Sequence, residues 1–94
     1  VSTYILLSAL TDEGAKTIKN HPQRIMEVNK EIERLGAKVV AQYATLGIYD
    51  FVSIVEARDN AAIARVSAEL GARGSVKLTT LAAIPVEEFI ASLK

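Results

Sequence analysis

Few side chains in this 94-residue chain have the chemistry to act on another molecule. Cysteine is absent and histidine occurs once, at His21, which excludes thiolate catalysis, zinc ribbons and a two-histidine metal site within one chain. A single histidine can still move a proton. His21 precedes Pro22 at a predicted helix start, where a solvated terminal residue is the plainer reading. Asp50, Tyr49 and His21 are thus the candidate catalytic groups, and neither a metal nor a cofactor is expected. Arg24, one turn further on, reads as a surface or interface charge. Gly71-Ala72-Arg73-Gly74 has the composition of a phosphate-gripping loop, but it follows a helix, so no helix N-terminus points at an anion there. Glu87 and Glu88 open the last helix, where they suit the positive end of its dipole.

The most particular cluster is Leu46-Gly47-Ile48-Tyr49-Asp50-Phe51. It supports two readings. In the first, Gly47 supplies a positive backbone dihedral and Asp50 accepts backbone N–H groups, as in many tight turns. In the second, Tyr49 and Asp50 stand at the mouth of a cavity, Asp50 as base or acceptor and Tyr49 as donor. Tyr4 and Ser8 share one side of the first strand by its two-residue period, and Tyr43 could approach that side. Together with Tyr49 and Asp50 these are the candidate ligand-binding residues, forming a mostly apolar pocket with a few hydroxyls. The alternative for the tyrosines is amphipathic packing at a subunit interface. The hairpin register decides which side Tyr43 takes.

The elements that must position these groups follow from periodicity. Thr3 to Leu10 reads as a strand with apolar residues on both sides. Thr11 caps a short helical turn through Lys19, and Pro22 suits the start of a longer helix with Ile25, Val28, Ile32 and Leu35 on one stripe. Gly36 ends it. Lys38 to Leu46 and Asp50 to Ala57 form a hairpin; Asp59 caps a helix carrying Ile63, Val66 and Leu70, closed by Gly71; and Ser75 to Ile84 is the fourth strand. Pro85 opens a short terminal helix with Val86, Phe89, Ile90 and Leu93 as its apolar face. The pattern is βαββαβ, an α+β ferredoxin-like fold with a four-stranded antiparallel sheet and two helices on one face, in one domain over residues 1–94.

Half of the residues are apolar, and eleven basic residues balance eleven acidic ones. Zero net charge gives nucleic acid or anionic lipid little long-range attraction, so neither is an expected partner. Tyr4 to Leu10 is interrupted by Ser8 and lacks a basic flank or small-residue cleavage site, so it reads as neither a membrane span nor a signal peptide, and the expected location is cytoplasmic. A domain this small with no disulfides gains stability by oligomerising. The second sheet face, with Leu6 or Val52 among its candidate residues, would be greasy in a monomer, which predicts a homo-oligomer.

The chain resembles the GYD family, named for the G-x-Y-D motif present here as Gly47-Ile48-Tyr49-Asp50. The resemblance runs from Tyr4-Ile5-Leu6-Leu7-Ser8 and Leu10-Thr11-Asp12-Glu13-Gly14 through Pro22-x-Arg24 to Val55-Glu56-Ala57, with His21 and Arg58 as departures in loops. It implies a small ferredoxin-like protein related to the dimeric α+β barrels, of a group whose biochemical role is largely uncharacterised. The expected function is binding of a small, partly apolar molecule in a cavity at the open sheet face. The alternatives are a cofactor-independent enzyme of the dimeric barrel type, isomerase-like or oxygenase-like, and a structural assembly module.

Overall fold

A computed structural model describes residues 1–94. In chain order the elements are β1 (Ser2–Leu10), α1 (Asp12–Asn20), α2 (Arg24–Arg34), β2 (Ala37–Ala44), β3 (Phe51–Ala57), α3 (Asn60–Gly71), β4 (Val76–Ala83) and α4 (Val86–Ser92). The strands form one antiparallel sheet in the order β2-β3-β1-β4. This is the α+β, ferredoxin-like arrangement that the alternation of elements predicts.

Local chemistry sets the boundaries. Thr11 caps α1 by accepting the Gly14 N–H at its hydroxyl (3.2 Å), and Asp59 caps α3 by accepting the Ala62 N–H (2.9 Å). Gly36, with φ near +99°, terminates the α2 segment in the left-handed region. Gly71 is different: it is the last residue of α3 without a positive φ, and the left-handed turn into β4 falls at Gly74 instead. Gly14 is required by proximity, since a Cβ there would overlap the Ser75 carbonyl oxygen. That oxygen also accepts the Thr11 N–H, so the start of α1 is clamped against the entry to β4.

The core lies between the helices and one sheet face. Tyr4 and Leu6 of β1, Val55 and Ala57 of β3, Ala37 of β2, Ile32 of α2 and Ile63, Val66 and Leu70 of α3 are buried. Each fully buried aliphatic side chain there contributes about 1.5–3 kcal/mol. Leu6 therefore belongs to the covered face, not to the open one where sequence alone makes it a candidate; Ile5, Leu7, Val52 and Ile54 alternate with the core residues and form the open face.

The sheet remains open, with β2 and β4 as its edges. The closed dimeric α+β barrel expected from the resemblance is thus not the form of this chain. The terminal helix does not cover the free face either. Every residue of α4 is exposed, including Val86, Phe89 and Ile90. No helix is long and apolar enough to cross a membrane.

Candidate functional site

The hairpin motif builds a braced loop. Between β2 and β3, Thr45 closes the loop twice: its N–H donates to the Asp50 carbonyl (2.8 Å) and its hydroxyl to the Tyr49 carbonyl (2.7 Å). Asp50 then ties the loop to the end of β1. Its N–H donates to the Ser8 carbonyl, and its carboxylate accepts the Leu10 N–H, each at 2.7 Å. These are the bonds of the turn reading, in which the aspartate satisfies backbone donors that the ladder leaves unpaired. Gly47 has φ near +110°, open to glycine and resisted by other residues. The product is a loop closed at its base, from which Leu46 and Ile48 project, 102% and 82% exposed. Tyr49, next in the chain, is half-buried.

The other candidates are dispersed. Tyr4 is buried in the core, and its hydroxyl donates to Asn60 Oδ1 at 2.6 Å, so its polar end is satisfied at the start of α3. Ser8 lies on the same covered face, opposite Phe51 and Leu78. Tyr43 does not join them. The β2–β3 register shifts between Val39 and Ala41, a β-bulge that reverses the parity of the strand beyond it. Gln42 consequently faces Ser53 on the covered side, and Tyr43 pairs with Val52 on the open side, 63% exposed.

Under the helices there is a hollow of about 260 Å³, walled by Ser8, Leu10, Ile25, Val28, Phe51 and Val76 among others. A polar trio lines one side. Asn29 donates to Gln42 Oε1 at 2.8 Å, and the Gln42 amide donates to the hydroxyl of buried Ser53 at 3.1 Å. Sequence reasoning missed this network, although a serine amid Phe51-Val52-Ser53-Ile54-Val55 is a signal, since a buried hydroxyl needs a partner. The hollow is on the opposite side of the sheet from the cavity anticipated at the open face.

His21 ends α1, exposed, with Nε2 2.9 Å from Glu27 Oε2; neither Tyr49 nor Asp50 is among its hydrogen-bond partners. Arg24 bridges Glu27 (3.2 Å) and Glu31 (3.1 Å), and Glu31 also meets Arg73 from the loop before β4. Arg73 therefore straps α2 to the segment that follows α3, while Arg24 pairs along α2 itself. Hydrogen bonding, first from Arg73, holds the Glu31 carboxyl below the usual carboxylate range. Glu27 is lowered first by His21 and then by Arg24, while Arg24 is made more basic by its bond to Glu27.

The open face and the elements around it carry the unpartnered apolar surface. Val40, Tyr43 and Leu81 are exposed on the strands, Leu46 and Ile48 at the loop tip, and Ile84, Val86, Phe89, Ile90 and Leu93 at the C-terminal end. Side chains of this kind, held on structured elements, suit protein contact.

A curated relative from Thermus thermophilus is 59% identical over 93 residues, 98% of each chain, and is named "Glutamine synthetase and cystathionine beta-lyase binding protein". That name overturns two expectations: the small-molecule cavity at the open sheet face, and a group without a characterised role. Two crystal structures share the fold. MtbAldR superposes with a TM-score of 0.67 at 24% identity over 89% of this chain, which spans about half (52%) of that protein. A second Thermus thermophilus protein gives 0.58 at 22% identity, covering 90% of this chain and 95% of the other. The family model described as "GYD domain" matches residues 4–93, and with the motif standing at the braced loop, this chain belongs to the GYD domain family.

Proposed function

We propose that this chain is a protein-binding module that associates with itself through the open sheet face and engages a second protein with the braced loop. The observation that carries the reading is the display of Leu46 and Ile48 on a loop fixed by four hydrogen bonds. An apolar anchor on a loop whose base is braced before binding loses less conformational entropy on docking than one on an open loop, which is how a small tip can contribute much of an interface energy. Tyr49 and Asp50 are positioning residues in this reading: they hold the tip and do not touch the partner's chemistry.

The partner class follows from the relative. With 59% identity over 98% of both chains, glutamine synthetase and cystathionine β-lyase are the partners to try first. The test is titration of the purified chain into each enzyme from the same organism, read by calorimetry. Binding is expected, and Leu46→Ser with Ile48→Ser should weaken it by roughly 10-fold or more, given the apolar area removed. Undiminished binding by the double variant would remove the loop from the interface. Absence of binding to both enzymes would leave the chain without this partner class. Self-association is checked separately by sedimentation, where a concentration-dependent mass above that of one chain is expected.

A further inference from the structure

The chain has more surface than its mass requires. Its accessible area is 6456 Å², whereas a compact monomer of 10.1 kDa has about 5,300 Å². The radius of gyration, 14.0 Å, likewise exceeds the roughly 12.4 Å of a compact domain of this length. A standard interface removes about 800 Å² from each partner, so the surplus of about 1,200 Å² is of the size that association covers.

Besides the loop tip, two unpartnered apolar surfaces stand on this one chain. The first is α4, with Val86, Phe89, Ile90 and Leu93 at helical spacing, each between 49% and 71% exposed. The second is the open sheet face with Ile5, Leu7, Tyr43, Val52, Ile54 and Leu81. Only Ile84 and Pro85 separate β4 from α4, and Pro85 is extended (ψ 138°), so the helix runs on past its own sheet. The molecule is accordingly 50 Å long and 19 Å thin. The charges are complementary at one edge: α4 opens with Glu87 and Glu88, and exposed Lys77 on β4 flanks the sheet face, whereas Lys38 on β2 already has Glu56 opposite it in the ladder.

We infer that α4 of one chain docks on the open sheet face of a second copy, and that the exchange is reciprocal about a two-fold axis. A helix and a face carried by the same chain make a closed, self-complementary pair, so two copies satisfy each other and growth stops at the dimer. The inference rests on self-association through the open face and specifies what covers it.

These 94 residues include no cysteine, so introduced thiols report proximity without background. One preparation carries Ile90→Cys; others carry Leu7→Cys in the central strand β1 or Tyr43→Cys on β2, the edge farthest from β4. Mixed and treated with a short bis-maleimide, the Ile90→Cys chain should form a two-chain product with a sheet-face variant. The pairing is necessarily between chains. Phe89→Asp with Ile90→Asp should raise the dimer dissociation constant by roughly 100-fold while leaving the thermal melt of the dissociated chain unchanged. A dimer by sedimentation that yields no helix-to-face product and tolerates the double aspartate variant would overturn the exchange and leave self-association standing. A chain that sediments as a monomer at all concentrations would overturn both.

Discussion

The two faces of β1 have nearly the same composition and opposite fates. Tyr4 and Leu6 are buried beneath α2 and α3, each at 2% exposure, while their neighbours Ile5 and Leu7 point to a face that no element of the chain covers. A strand apolar on both sides demands two coverings. The helices supply one; in the proposed self-association a second copy supplies the other. Covered-face changes should therefore act on folding and open-face changes on association, and variants that mix the two effects would break the distinction.

The largest stability loss is expected for Ile32→Ala, which empties a buried site in α2 and should cost about 2–5 kcal/mol in a denaturant titration. Its effect on association should be no more than that lost stability entails. Gly14→Ala comes next, at about 3 kcal/mol, because a Cβ that overlaps the Ser75 oxygen forces backbone to move. Val52→Lys supplies the contrast. It should abolish self-association by sedimentation while shifting the melt of the isolated chain little, and a folding defect equal to that of Ile32→Ala would mean that the open face is part of the core.

The loop sharpens the comparison at smaller magnitudes. Gly47→Ala should cost about 1–2 kcal/mol from backbone strain alone, since no atom crowds the site. Asp50→Asn keeps an acceptor for the Leu10 N–H and should cost about 1 kcal/mol or less. A greater loss for Asp50→Asn than for Gly47→Ala would reverse the roles assigned to them.

The smallest effect concerns acid. The folded-state pKa of Glu31 is lowered by Arg73 and Arg24, so its stabilisation is full above the unfolded carboxylate pKa and is lost as pH falls through the folded value. Melts should weaken toward acid within that window, and Glu31→Gln should flatten this part of the profile. An unchanged slope would place the acid sensitivity elsewhere.

The elements themselves were legible in the sequence because their signals are local. Thr11 and Asp59 cap helices by reaching three residues ahead, Gly36 turns the chain through its own dihedral, and the strands and α2 repeat at their own periods. The G-x-Y-D motif was legible as a turn for the same reason. What the sequence left open depends on pairing between distant segments. A bulge after Val39 decides that Gln42 turns in and Tyr43 out, a choice invisible to a period-two count within β2. Ser53 finds Gln42 and Asn29 only once β2, β3 and α2 are stacked. Leu6 and Ile5 are equally apolar, and only the side on which the crossovers lay α2 and α3 makes one of them core. An amphipathic segment declares in sequence that α4 has a face to bury; where that face goes is a tertiary matter, because a helix joined by Ile84 and Pro85 leaves its own sheet behind.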